Sequence, residues 1–341
     1  MLSSPILVSL TFFISLPLVL LFSPQFLTTS YLPFTSDTHD HTLFRRASVT
    51  AAHTTTTTTN NPKIAFLFLT NSNLSFAPLW EKFFSGHRHL FNIYIHADPS
   101  STVADPGGVF RRRFIPSKKT NRASPSLISA ARRLLASALI DDPHNQYFAL
   151  VSQHCVPLLS FRFVYSYLFC NSIHSSFIEI LSNETNLYDR YVARGENAML
   201  PEVPYEEFRV GSQFFVLARN HAAVVVRDKK LWRKFRLPCV TEEPCYPEEH
   251  YFPTLLSMED RKGCTGFTLT RVNWTGCWDG HPHLYTPSEV SPGLIRRLRV
   301  SNSSYPFLFA RKFSPECLAP LMEIADDGIF DEFGNTKDIL M

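Results

Sequence analysis

The chain has 341 residues, with 33 Lys and Arg against 30 Asp and Glu, a net charge of +3. So balanced a charge excludes a polyanion binder built on bulk positive charge, and the basic runs lack the interleaved aromatics of a nucleic-acid surface. With 45% apolar residues and 30 Phe the chain can bury a large core, which excludes intrinsic disorder throughout.

Residues 1–4 are a short tail without Lys or Arg. From Pro5 to Phe22 the sequence PILVSLTFFISLPLVLLF has no charge over 18 residues, at the lower edge of the ~17–25 that span a bilayer as a helix. The uncharged start, the length of the run and the lack of an Ala-x-Ala site favour an uncleaved signal anchor over a signal peptide. The nearest basic residues, Arg45 and Arg46, are too distant to orient it. Sequons at Asn73, Asn183, Asn273 and Asn302 point to a lumenal location. Seven cysteines (Cys155, Cys170, Cys239, Cys245, Cys264, Cys277, Cys317) fit an oxidising compartment, and the odd number leaves at least one thiol unpaired. No Cys-x-x-Cys pair occurs, so zinc has little support.

Residues 23–62, with the tract Thr54 to Thr59, read as a low-complexity stem that cannot bury enough apolar area to offset chain entropy. Order begins at Lys63. The run Ile64–Leu69 suits a strand buried on both faces. Leu79, Trp80, Phe83 and Phe84 follow at helical spacing, and residues 91–96 make a second strand. Strand, helix, strand within about 30 residues is a βαβ unit, so the sheet is parallel. Ser124-Pro125 reads as N-cap and first residue of a helix over 127–139, which Asp141 to Asn145 breaks. Residues 147–151 form a third strand and 161–168 a helix. Further strands are expected at 178–180 and 213–217, with a helix between Ala222 and Trp232. The fold class is α/β, one domain over 63–325, with a tail at 326–341.

Ligands of such sheets sit at the carboxyl ends of the strands. The polar residues there are Thr70-Asn71-Ser72, His96-Ala97-Asp98 and Ser152-Gln153-His154. Pro247-Glu248-Glu249-His250 sets two carboxylates beside a histidine. They serve either a general base or the dipole of a helix start. Arg311-Lys312 inserts two cations into an apolar run, and such cations need an anion, a phosphate or a carboxylate of the protein.

Stretches across nearly all the ordered part carry a resemblance: PKIAFLFLT (62–70), NIYIHADP (92–99), FALVSQHCVPL (148–158), GSQFFVLAR (211–219), PEEHYFPTLL (247–256) and FLFARKF (307–313). The chain resembles the plant branch of the core-2/I-branching β-1,6-N-acetylglucosaminyltransferases, Golgi type II proteins with a GT-A-like, mostly parallel sheet and flanking helices. The resemblance implies a metal-independent inverting transfer, with no cofactor, from a UDP-sugar (UDP-GlcNAc or a related donor) to a glycan or glycoprotein acceptor. Glu249 falls where animal members have their catalytic base, and Lys312 where they set a cation on the nucleotide diphosphate. The second cation stays open among Arg311, Arg296, Arg297 and Arg299. His96, Asp98, Gly211, Ser212 and Gln213 match segments lining the donor and acceptor cleft. Ser152 and Gln153 stand at the third strand end. After the second strand there is only Asp98, with no Asp-x-Asp metal motif, and basic side chains would replace the ion.

The chain departs from the family pattern in four places. Arg122-Ala123 replaces the usual Trp-Gly pair, Ala131 an acid, Gln153-His154 the Glu-Ser of Ser-Glu-Ser-Cys, and Glu248 an Asp. The lost acid at Gln153 bears on acceptor recognition. A second reading is therefore a non-catalytic member that binds a glycan or nucleotide sugar. A glycoside hydrolase needs two carboxylates about 5–10 Å apart across the bond, and the adjacent Glu248 and Glu249 are expected to point in different directions.

Overall fold

The computed structural model describes residues 35–53, 61–170, 175–241, 245–277 and 280–331. By its contacts the chain forms two units, Met1–Thr42 and Leu43–Met341. The described part of the first is the opening of helix α1, Thr35–His53. The anchor expected at 5–22 lies outside the described residues. Among the described residues no helix is long and apolar enough to cross a membrane.

The stem expected over 23–62 needs correction at its centre, where α1 stands. Within the second unit, Ala47 and Ala51 are buried, and Leu43 and Phe44 pack partly buried against the same cluster. Phe44, Ala47 and Ala51 are spaced by three and four, so one narrow stripe faces the domain. The weak periodicity of two alanines among threonines and histidines hides that stripe in the sequence.

Next come β1 (Lys63–Thr70), α2 (Ala77–Phe84) and β2 (Phe91–Ala97). They lead to α3 (Pro125–Asp141) and β3 (Asn145–Ser152). Ser124 caps α3, its side chain accepting from Ser126 N, with Pro125 in the first turn as expected. The chain continues through β4 (Val156–Pro157), α4 (Phe161–Cys170), β5 (Ser176–Glu179) and α5 (Leu187–Val192). The strand expected at 213–217 is a shorter β6, Val216–Ala218. The single helix expected after it is two, α6 (Arg219–Arg227) and α7 (Lys230–Phe235). Asp228 makes the break, because its carboxylate accepts from the backbone N–H groups of Lys230, Leu231 and Trp232 and so starts a new helix. Then follow α8 (Pro247–Asp260), β7 (Cys264–Gly266), β8 (Thr270–Val272), α9 (Pro292–Arg299) and β9 (Phe309–Arg311).

Six strands form one sheet in the order β2-β1-β3-β6-β5-β7, and β4-β9-β8 form a second. The first three are parallel, and β6 alone runs against its neighbours β3 and β5. Along β1, Ile64, Phe66 and Phe68 face one core while Ala65, Leu67 and Leu69 face another. Phe66 meets the rings of Trp80, Phe83, Phe84, Phe161 and Phe309, which binds the small sheet to the large one. Parallel pairing sets Thr70 opposite Ala97, and Leu69 opposite Ser152, so the polar strand ends emerge at one edge. The domain runs past the expected boundary at 325. Ile329 is buried, and Arg299 donates to the carbonyls of Gly328 and Ile329.

Candidate active site

A cavity of about 820 Å³ opens at that edge. It takes Thr70 and Asn71 after β1 and Ser152, Gln153 and His154 after β3. The starts of α8 and the end of β9 also reach it.

The acidic part comes from α8. Tyr246 holds a left-handed backbone (φ 39°) immediately before Pro247 opens the helix. Both Glu248 and Glu249 then line the cavity, the first turned to Ala123 N and the second to Arg190. Glu249 is half-buried, and its Oε2 accepts from Arg190 Nη1 at 3.2 Å. The Arg190 guanidinium also lies 5.1 Å above the Tyr246 ring. Burial raises the pKa of Glu249, and the Arg190 charge partly offsets it. Glu248 is 4% exposed and accepts from Ala123 N at 3.2 Å. Burial, with the Glu249 charge added, pushes it up to about 7.

Gly211, Ser212 and Gln213 line the cavity, and the glycine has a steric reason. A Cβ at Gly211 would stand 2.1 Å from the Glu179 carbonyl oxygen. Gly211 N donates to the Glu249 carbonyl at 2.9 Å, tying the segment that passes the end of β5 to the first turn of α8. Ser212 N donates to Glu179 Oε2 at 2.9 Å, which puts a further carboxylate on the wall.

The basic part is Arg311 and Lys312, both cavity-lining. The Arg311 guanidinium lies 4.4 Å over the Phe214 ring. Burial lowers the Lys312 pKa, and the charges of Arg311 and Arg122 lower it further. Lys312 makes no ion pair among the described residues. Arg296, Arg297 and Arg299 are on α9 and do not line the cavity. Arg299 serves the fold, donating to Leu158 O as well as to Gly328 and Ile329.

His96 and Asp98, expected on the cleft, do not line the cavity. Asp98 accepts four hydrogen bonds, from N and Oγ of Ser100 and from N and Oγ1 of Thr120. Burial would raise its pKa, but those donors hold it well below the usual carboxylate range. His96 Nε2 accepts from Lys118 N at 3.3 Å. These two side chains shape the segment that reaches the cavity at Thr120, Asn121 and Arg122. Gln153 lines the cavity with Nε2 donating to Asn71 Oδ1 at 2.7 Å, and Ser152 Oγ meets Cys155 Sγ at 3.3 Å.

Arg122, Glu179, Arg190, Arg271 and the half-exposed Trp274 line the cavity without having been singled out as site residues. Arg122 was visible as a departure from a family pattern, Arg271 and Trp274 lie in LTRVNWT (269–275), a further stretch that carries the resemblance, and Glu179 and Arg190 carry no local signal. Cys239 and Cys245 are disulfide-bonded just ahead of α8. That accounts for the closest cysteine pair without zinc.

The profile described as Core-2/I-Branching enzyme matches residues 64–299. The chain is 30% identical over 320 residues to "Glycosyltransferase BC10" of Oryza sativa subsp. japonica, covering 78% of this chain and 77% of that protein. The chain belongs to the Core-2/I-Branching enzyme family and is a glycosyltransferase.

Proposed function

We propose that the chain moves a sugar, GlcNAc, from a UDP-sugar to a hydroxyl of a glycan acceptor with inversion, using Glu249 as general base. The observation that carries this reading is that Glu249 and Lys312 line one cavity. The acceptor oxygen attacks the anomeric carbon while its proton passes to Glu249. The bond from that carbon to the diphosphate oxygen breaks, and UDP leaves with the electron pair. A base on the attacking oxygen is worth about 10²–10⁴ in rate. Lys312 and Arg311 stabilise the charge growing on the leaving phosphate through charge-assisted hydrogen bonds. The work falls on side-chain cations, and no metal enters the scheme.

Arg190 orients the base. It occupies Oε2 of Glu249 and leaves Oε1 for the acceptor hydroxyl. The segment 5–22 would anchor the protein in the Golgi membrane as a single-pass type II protein with a lumenal domain. The four sequons and the Cys239–Cys245 bond suit that compartment.

The test is Glu249→Gln, assayed with UDP-GlcNAc and a panel of glycan acceptors beside a UDP titration. Transfer should vanish while UDP affinity stays within about threefold. Turnover by the variant would remove Glu249 from the role. UDP binding without transfer by the unaltered chain would favour a non-catalytic nucleotide-sugar binder, in line with Gln153 standing where the family has an acid.

A further inference from the structure

We propose that Tyr246 is a positioning residue for the general base, its ring holding Arg190 where the guanidinium bonds Glu249. Tyr246 stands at the start of α8 and lines the cavity. Its left-handed backbone is fixed on both sides. Behind it Cys245 is buried and bonded to Cys239, and its own carbonyl accepts from Glu249 N at 3.0 Å. Beside Cys239, Val240 N donates at 2.8 Å to the carbonyl of Ala193, the residue that follows α5. The loop that delivers the ring is thus joined to the helix that carries Arg190.

Arg190 needs that support. Its one ion pair among the described residues is with Glu249, through a single bond of 3.2 Å. Charge-assisted contacts usually close to about 2.7–2.9 Å, so this one is long. A long side chain held at one point keeps much of its rotamer freedom. The Tyr246 ring, its centre 5.1 Å from Arg190 Cζ, supplies a second point. An aromatic face attracts a cation without neutralising it, so the Arg190 charge stays available to Glu249. A carboxylate in the place of the ring would compete for it. Arg122 lies 5.8 Å from the centre of the same ring, but its guanidinium also donates to Gly280 O at 2.6 Å and to His281 Nε2 at 2.9 Å. Its place therefore does not depend on the ring. Glu249 is faced by Arg190 from α5, Glu179 from β5 and Arg122 from the turn ahead of α3, and its charge acts in turn on Glu248 of its own helix and on Arg311 of β9. Among those cations Arg190 is the one bonded to the base, and the one that loss of the ring sets loose.

This role rests on Glu249 as the base, and the test reads the ionisation of Glu249 without needing turnover. In the full chain, urea stability is compared at each pH with Glu249 in place and with Glu249→Gln. Burial raises the folded-state pKa of Glu249, so the carboxyl loses ground to glutamine as pH rises, and the loss levels off once that pKa is passed. Tyr246→Leu and Tyr246→Met, two ways of removing the ring, should each move the levelling point up by as much as about one pH unit, a tenfold change in ionisation. Tyr246→Phe keeps the ring and should leave the point in place. Arg190→Ala should raise it unaided, and adding Tyr246→Leu should then move it no further. A levelling point unmoved by both ring-free variants overturns the role of Tyr246. So does one moved as far on the Arg190→Ala background as on the parent, or one moved by Tyr246→Phe. Transfer by Glu249→Gln, with the levelling point shifted as expected, would overturn the base and the part of Tyr246 in catalysis, while its hold on Arg190 stands.

Discussion

Arg190 holds Glu249 by a single hydrogen bond, Nη1 to Oε2 at 3.2 Å, and no other side chain donates to that carboxylate among the described residues. The pair decides both where the base points and when it is ionised. Burial raises the Glu249 pKa, and Arg190 is the largest influence pulling it back. Arg190→Ala should therefore move the acid limb of the pH–rate profile to higher pH, since more alkaline conditions are needed to ionise the base. At neutral pH the rate should drop about 10–100-fold, and Arg190→Lys should recover part of it. An acid limb that stays in place would show that Arg190 does not act on Glu249.

Gly211 is tested by adding one methyl. A Cβ there would meet the Glu179 carbonyl at 2.1 Å, and backbone cannot step aside as a flexible side chain can. Gly211→Ala should cost about 1–3 kcal/mol in urea unfolding. Transfer should fall by up to about 100-fold in the folded fraction, because the Gly211–Glu249 backbone bond positions the first turn of α8. A variant with unaltered stability would mean that the Glu179 backbone can move away from residue 211 at no cost.

Much of the scaffold was legible in the residues. Continuous apolar runs gave β1, β2 and β3, and Ser124-Pro125 gave the start of α3 to the residue. Glu249 and Lys312 were legible as a charged pair of segments, but their shared cavity depends on β9 pairing in a second sheet. His96 and Asp98 do not line the cavity, because a polar residue after a strand can face the ligand or the turn beyond it. Asp98 chose the turn, where four donors await it. Arg190 and Glu179 left no trace, since their role arises from contacts between segments 59 and 33 residues apart.

Helix α1 was the largest omission, and it can be probed on one face at a time. Ala47 is wholly buried, whereas Val49 is 54% exposed two residues on. Ala47→Glu would drive a charge into an apolar cluster and should cost about 3 kcal/mol or more, while Val49→Glu should be close to neutral. Phe44→Ala removes the ring 4.6 Å from the buried Arg132 guanidinium, and about 1–2 kcal/mol should go with it. Equal stability for Ala47→Glu and Val49→Glu would return residues 43–53 to the status of a linker.

Glu248 links the site to the pH dependence of folding. In the unfolded chain it titrates near 4.5, while in the fold burial pushes it up to about 7. Between those values the folded state keeps a proton that the unfolded state has released, so stability falls as pH rises across the window. Over the whole interval the loss is about 3 kcal/mol. Glu248→Gln is neutral at every pH and keeps a carbonyl oxygen for the Ala123 N–H. From pH 5 to pH 8 the variant should gain about that amount relative to the parent, read by urea unfolding at each pH. A difference that stays flat across the range would mean Glu248 is already ionised at pH 5. In that case two neighbouring anions would face the cavity together. Glu249 would then be harder to ionise, because each carboxylate raises the proton affinity of the other.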